Sequence, residues 1–505
     1  MNLYITKEMF LLRVNKFRNL IINLGSSYLQ IIVSVIMNIM YIPLSIHYLG
    51  VERYGVWILL QTFINFLTLA NFGVPTAVTN LMCLESDKKV RADIFLKGFE
   101  ILFKTCLILF VISLFLFYLI SNFTLLLSGL SFEVKTASLI LMLFFIIRIP
   151  FQVSSTVFVA ENKIYISKLY EFLVVFFTLG SLLVMIYFKK DLVFLAILSG
   201  AVLFFLNIIS FVNAMSVLGI KSLRLISNTI VAKTIYKPGL SLFASGMGAV
   251  IVWNTDNIII SRFLSLEDVA VYSTAFRLFS FAYMTFGLIY GLIIPYYGKY
   301  FSQKEWGKLK NLFILNIIII PFIAMCVWVV GWLFARDIVF LWLGDYKLYA
   351  GSQLYFILGA YGAVLSYVGV MYNFITCLNL LKGLVYLTVS EAVLNLVCSI
   401  FLVKFLGING VAIGTLIAST LVPLVILPSI INSSSKLEFS FPYKLSVLSI
   451  LFYLTMLFIL FIVDANEFIF INKVLIACAY IGLFGFFQFF LNRKLIKDVI
   501  QLLKI

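Results

Sequence analysis

A small number of ionisable side chains stand inside long apolar segments of this sequence, and these are its candidates for chemistry. Arg148 lies about twelve residues from either end of its segment, too far for the guanidinium to extend to a membrane surface. Arg277 lies six residues inside a later segment, and Arg262 closes the segment before it. A charge near mid-membrane costs about 2.5 to 3.5 kcal/mol, so each of these arginines needs a charged partner or a water-filled cavity. We interpret Arg148 as functional, with a structural ion pair as the alternative, whereas Arg262 can extend to the outer surface.

Acidic and amide side chains form a second group of candidates. Asp256 is the one carboxylate well inside its segment, so it needs a cation, either Arg277 on the adjacent helix or a transported Na⁺ or H⁺. Glu391 and Asn395 are one turn apart and share a helical face, and Thr415 in the next segment could add an oxygen. The rise of about 1.5 Å per residue places Glu391 nearer the inner surface than Asn395. The spacing therefore predicts that Asp256 meets Asn395 more readily than Glu391.

Soluble enzyme chemistry has no support in the sequence. The one histidine, His47, cannot build a histidine metal site, and the six cysteines stand singly in apolar segments as small filler residues. The stretch 245–251 lacks the third glycine of a dinucleotide loop, and no P-loop lysine motif is present. We therefore predict that the chain is not an enzyme, that it has no certain metal site, and that its only candidate cofactor is a coupling ion, Na⁺ or H⁺.

The composition determines which elements must position these residues. Of the 505 residues 63% are hydrophobic and 11% are charged, against about a quarter charged in ordinary soluble proteins. Only helices or a closed barrel satisfy their backbone inside lipid, and the alternating polarity of barrel strands is absent. The sequence predicts an all-α integral membrane protein with about 14 transmembrane helices, at 20–48, 55–83, 98–121, 136–160, 169–188, 192–217, 238–263, 271–297, 311–335, 351–377, 384–404, 408–432, 446–463 and 474–491.

The net charge of +16 is explained by its placement rather than by nucleic-acid binding. With the N-terminus inside the cell, the termini and even-numbered loops hold 25 lysines and arginines, against eight on the other side. Cytoplasmic loops of membrane proteins carry this excess of basic residues. We therefore predict a multi-pass protein with both termini in the cytoplasm, membrane lipids as its surroundings, and no nucleic-acid partner.

A repeat of 215 residues organises the first twelve predicted spans. Adding this offset to spans one to six gives spans seven to twelve, and because six is even, both halves enter the membrane in the same orientation. The predicted domains are a cytoplasmic N-terminus (1–19), an N-lobe (20–217), a cytoplasmic linker (218–237), a C-lobe (238–432), and two extra C-terminal spans with a cytoplasmic tail (433–505). Two six-helix lobes related by a parallel pseudo-two-fold predict a transporter that works by alternating access.

Several diffuse signatures along the whole chain carry a family resemblance. They are the opening span with Gly25-Ser26-Ser27, the turn 48–57 (YLGVERYGVW), the stretch 69–75 (LANFGVP), and Asp256 followed by 272–278 (YSTAFRL). Together they resemble the Wzx-type O-antigen and polysaccharide flippases. These belong to the exporter superfamily that also contains multidrug/toxin extruders and lipid II flippases.

This resemblance implies a function in surface-polysaccharide and lipopolysaccharide biosynthesis in the bacterial inner membrane. The implied cargo is an undecaprenyl-diphosphate-linked oligosaccharide that moves from the cytoplasmic to the periplasmic leaflet before polymerisation. A polysaccharide polymerase and a chain-length regulator are further implied partners. Arg148, Arg277 and Arg262 would then meet the diphosphate, to which a guanidinium can donate two parallel hydrogen bonds.

The resemblance also implies a cation site. Related lipid II flippases carry a Na⁺ site in the second lobe, and Asp256, Asn395 and Thr415 stand on the helices that this pattern requires. The second acidic ligand of the pattern is missing, because Glu391 comes too early in its helix. Coupling of transport to Na⁺ or H⁺ is therefore a hypothesis on an incomplete match.

Two other functions stay open at the level of sequence. A multidrug/cation antiporter of the same superfamily should show an excess of buried carboxylates, whereas the deep charges here are balanced. A membrane scaffold for polysaccharide assembly enzymes would use the basic inner loops. The polar residues within the spans favour transport over a passive scaffold.

Overall fold

The computed structural model describes residues 2–122, 132–223, 229–378, 380, 383–434, 437–442, 471–483 and 485–486. All regular elements in these ranges are helices. Up to the middle of the chain they are α1 Asn2–Leu49, α2 Val51–Leu67, α3 Val74–Leu84, α4 Lys88–Asn122, α5 Phe132–Arg148, α6 Ser154–Ala160, α7 Ile164–Tyr187 and α8 Leu192–Leu218. The remainder are α9 Thr229–Phe263, α10 Leu266–Ser302, α11 Trp306–Leu333, α12 Ala335–Leu343, α13 Ser352–Cys377, α14 Leu384–Leu406, α15 Ile408–Asn432 and α16 Ile471–Leu483.

Most of these helices could cross a membrane. By length and composition the described residues hold nine such helices, or up to ten if the bent pair formed by α2 and α3 is one span. This confirms the prediction of an all-α integral membrane protein. It does not confirm the count of 14. Helices α4 and α9, at predicted spans 98–121 and 238–263, are not among these helices, and predicted span 446–463 and the end of span 474–491 lie outside the described residues.

Two spans of the first half are broken where the sequence carries proline. A 3-10 turn, Thr68–Asn71, follows α2, and Phe72 and Gly73 then have φ angles of 48° and 67°, so that α3 leaves at 45°. A Cβ atom on Gly73 would lie 2.5 Å from the Gly239 carbonyl oxygen, so this bend needs a glycine. The second break separates α5 from α6 by a 3-10 turn, Ile149–Val153, with Pro150 at its start. Proline lacks the N–H that would continue the α-helical ladder, and the helix ends at Arg148.

The helix bounds recur at the offset read from the sequence. Shifting Val51–Leu84 by 215 residues gives 266–299, against the observed α10 at Leu266–Ser302. The same shift carries α8 to 407–433, against α15 at Ile408–Asn432. The copies differ locally, since the span formed by α2 and α3 is bent, whereas α10 is one helix with Pro295 inside it.

The chain divides into two compact units, residues 1–50 with 59–250, and residues 51–58 with 251–505. In the first unit an apolar core joins α3, α4, α6 and α8 around Phe95, Phe158 and Phe211. In the second unit a separate core joins α10, α11, α13 and α15 around Phe313 and Phe374. Each unit therefore has an interior of its own that can hold buried polar side chains in place.

Candidate functional site: buried charges in the two units

Helices α14 and α15 of the second unit are in close contact. A Cβ atom on Gly410 would lie 2.2 Å from the Leu402 carbonyl oxygen, and one on Gly414 would lie 2.6 Å from the Ser399 backbone nitrogen. Glycine at these two positions lets the helix backbones touch. This contact brings Asn395 of α14 within hydrogen-bonding distance of α15.

A hydrogen-bonded polar cluster surrounds Asp256. The Tyr272 hydroxyl donates to Oδ2 of Asp256 at 2.5 Å, and the Thr415 hydroxyl lies 3.0 Å from Oδ2 and 3.1 Å from Oδ1. Asn395 Nδ2 donates to Thr415 Oγ1 at 2.8 Å, and Thr255 Oγ1 lies 3.2 Å from Asn395 Oδ1. All five side chains are buried, and Asn395 is 0% exposed. Tyr272 and Thr415 thus donate to the carboxylate directly, and Asn395 and Thr255 are linked to it through Thr415.

The charge of Asp256 has no counterpart among the described residues. The carboxylate is 5% exposed and accepts hydrogen bonds from two neutral hydroxyls. In the part of the chain that the structure describes, no lysine or arginine nitrogen lies within 4.0 Å of it. The predicted alternative partner, Arg277, is exposed and makes no ion pair with Asp256 here. A buried carboxylate in this setting is neutral only when it holds a proton or a bound cation.

Glu391 lies outside this cluster. Its Oε1 accepts a hydrogen bond from the Ser419 hydroxyl on α15 at 2.5 Å, and it is close enough to Tyr283 and Tyr361 to interact with them electrostatically. The structure thus joins Asp256 and Asn395 through Thr415, whereas Glu391 has a different hydrogen-bond partner, Ser419.

Arg148 of the first unit has no ion-pair partner among the described residues. Its Nε is buried and has no hydrogen-bond partner among the described residues, and its Cζ lies 4.6 Å from the centre of the Phe145 ring. No carboxylate of the described residues lies within ion-pair distance of it, so the structural ion pair does not form here. By contrast, Lys97 is buried in the same unit and pairs with Glu100 at 3.0 Å.

The other two predicted arginines belong to the second unit and are exposed. Arg277 lies eleven residues after the start of α10, about 16 Å along the helix axis, and interacts electrostatically with Tyr54. Arg262 is in the last turn of α9, where its side chain can extend to the membrane surface. Because Arg148 and Arg277 belong to different units, each is described by itself.

Sequence reasoning missed Tyr272, Thr255 and Ser419 as polar partners. A signal for the first was available, because Asp256 and Tyr272 lie eight residues to either side of Leu264, in the turn between α9 and α10. Equal distances from a tight turn place two residues side by side in an antiparallel helix pair. The hydrogen bond from Ser273 to Asn257 follows the same rule.

Comparisons with known proteins agree on the fold. No family model matches the chain. A curated protein of Salmonella typhimurium named "Putative O-antigen transporter" is 21% identical over 173 residues, which are 34% of this chain and 40% of that protein. The structure of "Lipid II flippase MurJ, inward closed conformation" aligns over 94% of this chain and all of its own, with a TM-score of 0.67 and 16% identity. An inward-facing multidrug resistance MATE family transporter of the MOP superfamily covers 82% of this chain and 95% of its own, with a TM-score of 0.65 and 14% identity.

The chain has the fold of these membrane transporters. The resemblance read from the sequence is confirmed as a likeness, to an O-antigen transporter in sequence and to MurJ and MATE proteins in structure. The matched proteins are named for transport, in line with the prediction that the chain is not an enzyme. A further match is described as an outward-facing MATE transporter, with a TM-score of 0.58 and 15% identity. Proteins with this fold have therefore been seen in both inward-facing and outward-facing conformations.

Proposed function

We propose that this chain is a flippase for undecaprenyl-diphosphate-linked oligosaccharides of an O-antigen or a similar surface polysaccharide. The observation that carries the proposal is Arg148, a guanidinium deep in a span with a buried, unpartnered Nε and no described carboxylate beside it. A cation in that position needs an anion, and a diphosphate accepts the paired hydrogen bonds that a guanidinium donates. The likenesses to an O-antigen transporter and a lipid II flippase support a lipid-linked cargo.

Arg277 is the second proposed contact of the cargo. Its side chain is exposed about 16 Å along α10, where facing lipid would be costly, so we infer that it faces water. Arg262 stands at the outer end of α9 in the proposed topology, where it would meet the head group on release. The proposed topology has both termini in the cytoplasm of a bacterium, an N-lobe (20–217), a linker (218–237) and a C-lobe (238–432). A polymerase and a chain-length regulator would receive the product.

We also propose that transport is coupled to a cation at Asp256. The support is the convergence of hydroxyl donors on a buried carboxylate that has no described counter-charge. Asn395 and Thr415 would supply neutral oxygens, and Na⁺ and H⁺ are the candidate ions. Glu391 accepts a hydrogen bond from Ser419 instead, so we expect it to affect cation binding at Asp256 only weakly.

The central test is flipping by purified protein in vesicles. A fluorescent undecaprenyl-diphosphate-linked oligosaccharide is reconstituted with the protein, and dithionite added outside bleaches the label of every molecule that reaches the outer leaflet. Loss of one charge-assisted contact of about 1.5 to 3 kcal/mol predicts a flipping rate at least tenfold lower for Arg148→Ala. Arg148→Lys should keep part of the rate, because lysine retains the charge without the fork.

The matched control is Arg336→Ala. Arg336 is exposed on α12, with its Cζ 5.1 Å from the centre of the Tyr346 ring, and has no assigned contact with cargo. This variant should flip at the wild-type rate. An Arg148→Ala protein that flips as fast as the control would remove the assignment of Arg148, and wild-type vesicles with no flipping would refute the function.

The second candidate function is a multidrug/cation antiporter. The buried carboxylate Asp256, the partly buried carboxylate Glu391 and the structural likeness to MATE transporters favour it. Ethidium uptake by the same vesicles separates the two functions, since transport of this cation without movement of the lipid-linked sugar would support the antiporter. A scaffold would show neither activity.

A further inference from the structure

An aromatic cluster in the second unit has no role in the charge chemistry described above. The Trp253 ring centre lies 5.8 Å from that of Phe276 and 5.9 Å from that of Tyr283, both on α10. The Tyr361 ring of α13 closes the cluster from behind, 6.4 Å from Trp253 and 6.3 Å from Phe276. Tyr361 is 4% exposed, whereas Trp253 is 39% exposed, so part of Trp253 is accessible from outside the cluster. We call Trp253, Phe276 and Tyr283 the aromatic platform.

The depth of the platform is unusual for a tryptophan. Trp253 lies ten residues before the end of α9, and Phe276 lies ten residues after the start of α10, so both are about 15 Å along their helices. Tryptophan in membrane proteins is enriched at the interfaces, near the head groups. A half-exposed indole near mid-membrane therefore needs an explanation other than anchoring.

Arg277 indicates what the platform faces. It follows Phe276 directly in the sequence, so it lies at the same depth, about 100° around α10 from Phe276, and its side chain is exposed. An exposed guanidinium at this depth would be costly against lipid, so we infer that water reaches this side of α10 and the platform that borders it. An aromatic surface that is wet, deep in a span and next to a cation suits a ligand that is polar overall but has apolar patches.

We propose that the aromatic platform stacks against a sugar ring of the cargo while Arg277 contacts the diphosphate. Pyranose rings present a face of C–H groups that carry partial positive charge, and the face of an aromatic ring carries negative charge, so the two attract each other in water. An organic cation would also be attracted to these rings. The guanidinium beside the platform repels such a cation and attracts the diphosphate that precedes the first sugar. This inference rests on the proposed function and names the part of the cargo that the site selects.

The test compares lipid probes with and without a sugar. Binding to purified protein in detergent is measured for undecaprenyl diphosphate alone and for undecaprenyl diphosphate bearing one N-acetylglucosamine, glucose or galactose. Trp253→Ala should weaken binding of at least one sugar-bearing probe by about three- to tenfold and leave the sugar-free probe unchanged, because one ring contact is lost. Trp253→Phe, which keeps a ring, should lose less than about twofold. Arg277→Ala should weaken all four probes alike.

A matched control removes an indole elsewhere. Trp306→Ala acts at the start of α11, where the ring contacts Phe301 at 5.8 Å, and should leave all affinities unchanged. The platform is refuted if Trp253→Ala binds every probe as the wild type does, or weakens the sugar-free probe equally. It is also refuted if Trp253→Ala weakens binding of the organic cation tetraphenylphosphonium but of no sugar-bearing probe. Wild-type protein that binds none of the undecaprenyl probes would instead refute the proposed function itself.

Discussion

Asp256→Asn provides the sharpest test of cation coupling. The amide has nearly the shape of the carboxylate, and its oxygen can still accept from Tyr272 and Thr415, so the fold should be kept. Losing the charge weakens two hydrogen bonds by about 1 kcal/mol each. The substitution also removes an unpaired buried charge, and burying that charge lowers the stability of the wild type by several kcal/mol. In buffer without the coupling ion the variant should therefore be at least as stable as the wild type.

Adding the coupling ion should make the wild type more stable than Asp256→Asn. An ion that binds the folded state adds RT ln(1 + [ion]/Kd), or about 2.7 kcal/mol at one hundred times Kd. Only the wild type has the charge that binds the ion, so only the wild type should gain. The assay is thermal unfolding of detergent-purified protein over a NaCl series balanced with choline chloride, and over a pH series. A proton that binds the folded carboxylate stabilises the protein as the pH falls, so the two series distinguish Na⁺ from H⁺.

Glu391→Gln is the matched control for this experiment. Glu391 is a partly buried carboxylate that bonds to Ser419 and lies outside the Asp256 cluster, so its variant should keep most of the ion-dependent gain. Two results would refute the reasoning. One is a wild-type protein whose unfolding temperature follows neither Na⁺ nor pH, and the other is an Asp256→Asn protein that responds as strongly as the wild type.

Two predictions concern a close helix contact and a buried ion pair. Gly410→Val should lower the free energy of unfolding by at least about 2 kcal/mol, because its Cβ would lie 2.2 Å from the Leu402 carbonyl oxygen. Gly362→Ala, whose Cβ would meet open space, should not lower it. Lys473 of α16 is buried and pairs with Asp337 at 2.6 Å, so Lys473→Met should destabilise the protein by about 1 to 3 kcal/mol. Adding Asp337→Leu should recover part of this loss in a double-mutant cycle of thermal unfolding, and no coupling between the two would disprove the contribution of the ion pair.

The fold and one part of the site followed from local rules in the sequence. Lipid forbids unpaired backbone groups, so composition alone requires helices, and the 215-residue offset of the spans reappears in the helix bounds. Counting helical rise matched Asn395 to the depth of Asp256, and Thr415 was named as an oxygen that the next span could add. Counting succeeds here because α14 and α15 follow each other in the sequence and are in close contact at Gly410 and Gly414.

What could not be predicted depends on packing between helices. Pro150 signalled a disturbance, but a sequence does not show whether proline kinks a span or replaces a turn of it by a 3-10 segment, as happens after Arg148. The aromatic cluster was not predicted either. Trp253 and Phe276 lie eleven and twelve residues from Leu264 and so follow the turn rule, but Tyr361 comes from a third helix at no fixed spacing from them. Aromatic residues are so frequent in this chain, with 52 Phe, 26 Tyr and 6 Trp, that composition does not single out any cluster.

The ion pairing of the other buried charges in this protein supports the proposed function. Lys97 and Lys473 are each buried beside a carboxylate, at 3.0 and 2.6 Å, so pairing is the rule where a described buried charge only has to be accommodated. The partly buried Glu391 departs from that rule, and so do Arg148 in one unit and Asp256 in the other, which carry opposite charges. A purely structural role would be served better by an apolar residue at either position. Because the missing partner is an anion in one case and a cation in the other, the pair favours a transporter that binds an anionic cargo and a cation over one that binds cationic drugs alone.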